Sequence, residues 1–250
     1  MQPTDQFRVE ESAGVRTLLL ARPERSNALN ADLVESLLQE TRAAIDARVR
    51  MIVFKGLGKN FCAGFDTSEI ETQSDGEVLT RFVRIEMLLQ TVRRSPCMTV
   101  AWAQGAAFGA GADLLAACHL RLGAPDLRMR FPGFRFGVAL GTRHLTRQVG
   151  SELARRLLIE NLEIDAANAK ASGLINDIVN DGDVYKHVAE RVRFANELGP
   201  QSVERILRLT EAAEDDDADL ADLVRSIADP GLAARIANYR DSSRSATRAK

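Results

Sequence analysis

A layered α/β fold is predicted by three observations. Short apolar runs such as IVF and MTVAW have strand length and are bounded by glycine or proline. Longer segments with apolar residues at helical spacing lie between them. Strands that alternate with helices pack as a sheet covered by helices. The order helix, buried strand, glycine loop also occurs twice, ending once at CAGFD and once at FGAGAD. This is a repeat of organisation, not of sequence.

In chain order, FRVEE and VRTLLLAR flank Gly14 and read as a strand pair. Residues 31–47 form an amphipathic helix through Leu33, Val34, Leu37, Leu38 and Ile45. Residues 50–56 (RMIVFKG) are a short buried strand, followed by the loop LGKNFCAGFDTSEI. A second amphipathic helix covers 77–94, Pro96 ends it, and 97–105 is a second buried strand. HLRLGAP and LRMRF read as strands, and 151–160, 165–172 and 184–198 as helices. From Pro200 onward the pattern is helical without strands. The chain therefore divides into a core, 1–195, and a C-terminal helical region, 196–250. That region has little sheet of its own to cover and is expected at a subunit contact. Its polar, basic tail DSSRSATRAK is expected to be disordered.

Composition narrows the function classes. The chain has 250 residues, 45% hydrophobic and 27% charged, as in ordinary soluble domains. A net charge of -2 supplies no global basic field for nucleic acid. No apolar run reaches the ~18 residues of a membrane span, and the N-terminal stretch has no apolar signal region. Cys62, Cys97 and Cys118 are too widely spaced for a zinc or redox pair, and fit reduced thiols in the cytoplasm. EDDDAD (214–219) reads as a helix start or solvated face, not a metal site. No metal or cofactor is expected.

The stretch GAAFGAGADLL (105–115) holds three glycines in seven residues. It fails the dinucleotide fingerprint, because Leu114 stands where the third glycine belongs, and it lacks the Gly-Lys-Ser/Thr of a P-loop. Two readings stand: close packing by small residues, or a helix N-terminus whose free N–H groups meet an anion. FCAGFD puts a second small-residue turn after another buried strand. Two such turns on neighbouring strands can each aim one N–H at one oxygen, forming an oxyanion hole.

With both motifs in view, the chain resembles the crotonase family (enoyl-CoA hydratase/isomerase). The matching pieces are RPERSNALN (22–30), IVFKGLGKNFCAGFD (52–66), MTVAWAQGAAFGAGADLLAACHLRL (98–122), FPGFRFGVALGT (131–142) and residues 149–179. The resemblance implies a crotonase-like spiral of ββα repeats whose C-terminal helices build a homo-trimer, often paired as a hexamer. It also implies an acyl-CoA substrate. The thioester oxygen would accept from the N–H groups of Phe65 and Ala110, set in turns formed by Ala63, Gly64 and Gly109. The loop with Arg22, Arg25, Asn27, Ala28 and Leu29 would lie along the nucleotide end of CoA, the arginines meeting phosphates or solvent. Asp66 adjoins the turn; with Glu69 it also reads as a capping box.

The family's hydratases use two glutamates. Asp113 stands at the first position, where the helix dipole alone would also favour an acid. At the second, Pro132 is followed by Gly133, which cannot move a proton. Arg135, His144, Glu69 and Glu86 are the side chains that could replace the missing group. His119 reads as a satisfied sheet residue, His187 as a surface helix residue and Cys62 as a core thiol. Ordinary hydration is therefore expected to be weak. Isomerisation, thioester hydrolysis, decarboxylation, C–C cleavage and CoA binding with little turnover remain as alternatives.

Overall fold

The computed structural model describes residues 6–210 and 216–248. Nine strands and nine α-helices run through these described residues. β1 (Phe7–Ser12) and β2 (Val15–Leu20) form an antiparallel hairpin. Helix α1 (Ala31–Asp46) starts at Asn30, whose side chain accepts the Leu33 N–H. β3 (Met51–Gly56) pairs parallel with β2, placing Leu18 beside Phe54. Helix α2 (Asp75–Arg93) begins two residues before its expected start, because Ser74 and Glu77 close a capping box there. β4 (Met98–Ala103) pairs parallel with β3.

β5 (Ala106–Phe108) then leaves for a second sheet, and helix α3 (Ala110–Ala117) follows at once. β6 (Leu120–Gly123), β7 (Arg128–Arg130), α4 (Thr142–Ile159), β8 (Ile164–Asp165), α5 (Ala166–Ala171) and β9 (Asp177–Ile178) complete the sheets. The large sheet runs β1-β2-β3-β4-β6-β9 and is parallel beyond its first hairpin; the small one runs β5-β7-β8. Helix α4 starts earlier than expected and breaks at Gly150, so the helix anticipated from residue 151 is its second half.

Period-two alternation divides the large sheet. Leu18, Leu20, Ile52, Phe54 and Ala101 pack into the main core with helices α1 to α3. Met51, Val53, Val100, Trp102 and Leu122 pack on the opposite face, against Val184, Val188 and Val192 of α6 (Val184–Leu198). Both faces are thus covered, as a parallel sheet requires.

Three more helices close the chain: α7 (Pro200–Thr210), α8 (Asp216–Ile227) and α9 (Leu232–Arg248). α8 and α9 pack on their own core. Leu223, Ile227, Leu232 and Ile236 are buried in it, and the Asp75 carboxylate accepts from the N–H groups of Gly231 and Ala233. The tail expected to be disordered is helical through Arg248; the last two residues lie outside the described part. Arg240 anchors this helix by donating to the Thr67 carbonyl and pairing with Glu71. The sequence pattern missed that anchor because Glu71 and Thr67 lie far away along the chain. Within EDDDAD, residues 214 and 215 lie outside the described part. Asp216 opens α8 and, with Asp219, meets Arg93, Arg94 and Arg143.

Candidate active site

The two glycine turns are brought side by side by the sheet. Strands β3 and β4 are parallel neighbours, so the loops that leave them emerge together. Residues 61–63 then run beside β5. Cys62 accepts the Phe108 N–H at 3.0 Å and donates its own N–H to Ala106 O at 3.1 Å. On the other side, Leu29 donates to Gly64 O at 2.7 Å and accepts from Asp66 N at 3.0 Å.

A count of donors along this loop shows what remains. Phe61, Cys62, Ala63 and Asp66 donate to backbone carbonyls, and Gly64 donates to the Cys62 Sγ. The Leu29 bridge takes the groups flanking Phe65, and the Phe65 N–H itself has no acceptor among the described residues. In the second turn, Gly109 donates to Arg130 O at 2.8 Å. The N–H of Ala110, the first residue of α3, has no acceptor among the described residues either. Gly111 and Ala112 also lack acceptors among the described residues, as the first turn of a helix leaves them, but Phe65 and Ala110 are the pair that lines a cavity, where a ligand oxygen can reach them.

Glycine permits this approach. Gly64 has φ +87°, and a Cβ there would fall 2.5 Å from Phe108 O and 3.2 Å from Ala110 N. A Cβ at Gly111 would fall 2.2 Å from Cys62 O. The small residues of GAAFGAGADLL therefore pack α3 against the first turn, with the Ala110 N–H left without an acceptor among the described residues.

Phe65, Gly109, Ala110, Asp113, Pro132 and Gly133 line one cavity of about 600 Å3, together with Ala63. Aromatic side chains form a third of its wall, adding Phe82, Phe108, Phe131, Phe134, Phe136 and Tyr239 to Phe65. Phe65 stacks on Phe82 at 4.5 Å, and Tyr239 packs on Phe136 at 5.3 Å. Ile236, Tyr239 and Arg240 of α9 also face the cavity, so the C-terminal helix covers the site of its own subunit.

Asp113 is the carboxyl of this cavity. It lies in the first turn of α3, 7% exposed, and a Cβ on Gly141 would come within 2.7 Å of its Oδ1. Burial pushes its ionisation well above the usual carboxylate range; the charge of Glu86 pushes the same way, and Arg93 opposes both. Among the described residues no second acid lines the cavity. Gly133 is on the wall, and a Cβ there would meet Val138 O at 2.7 Å, so a side chain at this position would require the turn to shift.

The possible replacements are engaged elsewhere. Arg135 donates to Ile159 O, and His144 contacts Ala116 O and Gln148. Glu69 is exposed at the start of a short 3-10 turn, Ile70–Thr72, and does not line the cavity. Glu86 is buried behind the cavity wall against Arg93 at 3.3 Å, and burial raises it to about 7. Burial likewise raises the Cys62 thiol to about 12 and lowers His119 to about 4, with the His119 ring held by Thr99 and the Arg93 carbonyl.

The RPERSNALN loop is a strap around the site. Arg22 is buried, with its Nη1 bonded to Asp66 Oδ2 at 2.8 Å and to Ala28 O. Asn27 is fully buried; it accepts from Arg22 N and donates to the carbonyls of Leu57 and Asn60. Arg25 alone of the two arginines is exposed. The capping box read at Asp66 and Glu69 does not form. Asp66 accepts from Ser68 N and pairs with Arg22 instead. Burial opposes the Asp66 charge, but Ser68 and Arg22 outweigh it and hold the carboxyl below its ordinary range. Sequence reading missed Arg130 and the residues of α9, because only the β5–β7 register and the fold of the C-terminus bring them to the cavity.

Known proteins with this design agree across the chain. The family model for enoyl-CoA hydratase/isomerase matches residues 10–227. A Mycobacterium bovis protein named probable enoyl-CoA hydratase echA6 is 36% identical over 210 residues, 83% of this chain and 84% of that one. The human enoyl-CoA hydratase domain-containing protein 2, mitochondrial, is 33% identical over 196 residues, 76% of this chain and 67% of that one. A crystal structure of a candidate enoyl-CoA hydratase/isomerase from Bordetella parapertussis superposes with a TM-score of 0.91 at 42% identity, covering 94% of this chain and 98% of that one. An enoyl-CoA hydratase from Bacillus halodurans, at 22% identity and a TM-score of 0.83, shares the fold over 93% of this chain and 99% of its own. The sheets, the paired turns and these likenesses together place the chain in the enoyl-CoA hydratase/isomerase family, with its crotonase fold.

Proposed function

We propose that this protein is an acyl-CoA-processing enzyme that forms a thioester enolate and moves a proton with Asp113. The observation that carries this reading is the pair of acceptor-free N–H groups, Phe65 and Ala110, on one cavity wall with a buried carboxyl. The thioester oxygen accepts from both donors. Asp113, as carboxylate, takes a proton from carbon next to the thioester; electrons pass to that oxygen, and the two N–H groups hold the charge. Each such donor contributes roughly 3–4 kcal/mol to the transition state. Returning the proton two carbons away shifts a double bond and needs no second acid. Hydration needs one group to orient water and one to carry the proton, and the turn at Gly133 supplies neither. Isomerisation is therefore the reaction favoured here, without metal or cofactor. Exposed Arg25 is the phosphate-facing arginine of the strap, and Arg22 with Asp66 holds the strap in place.

The same proposal includes a homo-trimer or hexamer in the cytoplasm. Phe194 and Leu198 of α6 and Ile206 and Leu209 of α7 are exposed, and this apolar face suits a second copy. The test compares crotonyl-CoA hydration with 3-butenoyl-CoA isomerisation. Isomerisation that exceeds hydration and is lost in Asp113→Asn supports the reading. Efficient hydration that survives this change would exclude Asp113 as the acid–base group.

A further inference from the structure

Arg130 ends β7 and faces Phe108 across the β5–β7 register. Its guanidinium lies over the Phe108 ring, 4.7 Å from the centroid, and both side chains are on the cavity wall. Its carbonyl holds the Gly109 N–H, one peptide before the Ala110 donor. The charge thus stands beside the oxyanion turn. Arg128, two residues earlier, has a carboxylate partner in Glu163 at 3.5 Å. Arg130 has no ion pair and no side-chain hydrogen bond among the described residues, and its Nε is buried without an acceptor. Arg130 is half-buried; leaving its buried Nε–H unpaired is costly, and a planar guanidinium fork matches carboxylate or phosphate oxygens in pairs. Stacking on the aromatic ring fixes the plane of the fork.

We propose that Arg130 is the anion-recognition residue of this cavity and selects acyl-CoA esters whose acyl group carries a carboxylate a few bonds from the thioester. The inference rests on the acyl-CoA reading of the site. A CoA phosphate has the same chemistry, but the pantetheine arm separates it from the thioester by many bonds, whereas Arg130 adjoins the turn that receives the thioester oxygen. The neighbouring wall, Phe108 and Phe131, is apolar. The other arginine on the wall, Arg240, is already paired with Glu71 and Asp241, so Arg130 is the cation left to meet an acyl carboxylate.

The experiment is calorimetric titration of the parent and Arg130→Met with butyryl-CoA, glutaryl-CoA and butyryl-pantetheine. The two CoA esters differ by a terminal carboxylate, and neither has a double bond to react. A charge-assisted pair favours glutaryl-CoA in the parent by about tenfold or more. In Arg130→Met that preference disappears while butyryl-CoA binding persists. Equal weakening of both CoA esters, with butyryl-pantetheine unchanged, would move the arginine to a CoA phosphate and overturn the acyl-carboxylate assignment. Unchanged binding of all three ligands would overturn anion recognition altogether. Should the Met variant fail to fold, Arg130→Lys keeps the charge without the fork and is expected to retain a reduced preference, and added salt is expected to shrink the parent's preference; absence of both effects also refutes the inference. A parent that binds both CoA esters equally refutes this inference alone. A parent that binds no acyl-CoA refutes the underlying reading as well.

Discussion

Gly64→Ala is expected to disable the proposed oxyanion hole while leaving the protein folded. The added Cβ would fall 2.5 Å from Phe108 O, and real Cβ contacts essentially never lie under 3.0 Å, so a movement of at least about 0.5 Å is required. The obstacle is backbone on both sides: one turn carries the Phe65 donor and the other the Ala110 donor, whose nitrogen the same Cβ would approach to 3.2 Å. The shift therefore separates the two donors. Misplacement by about 1 Å can cost ~10²-fold, and loss of one oxyanion donor costs ~10²–10³-fold in kcat. The positive φ of +87° adds a stability cost of roughly 1–2 kcal/mol for a residue with a Cβ. That is well below the ~5–15 kcal/mol of a typical domain and lowers Tm by roughly 2–8 °C at this size. The assay is steady-state isomerisation of 3-butenoyl-CoA beside calorimetric binding of butyryl-CoA. A kcat loss of ~10²–10³-fold with a much smaller change in Kd is expected. A folded variant with the parent's kcat would show that these donors do not hold the reacting oxygen.

Asp113→Asn is expected to cost ~10²–10⁴-fold in isomerisation, and the parent rate should rise with pH as the buried carboxyl ionises. Because its folded-state ionisation is raised, parent stability falls as pH climbs above the ordinary carboxylate range; the Asn variant should melt higher at pH 8, and the gain should fade towards pH 4. Glu86 acts in the same direction between about 4.5 and 7, so the melting temperature of Glu86→Gln relative to the parent should improve across that window; a pH-independent difference would refute the assignment. Arg22→Ala leaves Asp66 buried without its partner, which typically costs ~3–5 kcal/mol, so thermal melting should drop by roughly 10 °C. Phe194→Asp with Leu209→Asp should convert a trimer or hexamer to monomer in light scattering; an unchanged mass would place the subunit contact elsewhere.

The central elements were legible in the sequence because local signals carry them. MIVFKG and MTVAWA are continuous apolar runs ended by small residues, and the parallel sheet buries both of their faces. The two glycine turns were legible for the same reason: small residues after a buried strand allow backbone to approach backbone. What failed depends on partners distant along the chain. Asp66 looked like the cap of a local helix, but Arg22, 44 residues earlier, captures its carboxylate. The tail from Asp241 on is polar apart from two alanines, yet Arg240 pins its helix to Glu71 and Thr67. Arg130 read as one residue of an unremarkable strand, and only the pairing of β7 with β5 sets it over Phe108. That residue 133 is a glycine and brings no carboxyl to the cavity was visible in the sequence. That a side chain there would force the turn to shift follows from the Val138 carbonyl.

Enolate formation is tested most directly by hydrogen exchange at the α-carbon of bound butyryl-CoA in deuterated water, followed by mass spectrometry. This ligand has no double bond to hydrate or shift, so exchange isolates the one step assigned to Asp113 and the Phe65 and Ala110 donors. Exchange well above the buffer control is predicted for the parent, slowed ~10²–10³-fold in Gly64→Ala and lost in Asp113→Asn. Saturating binding of butyryl-CoA by the parent with no exchange above the control would contradict the account.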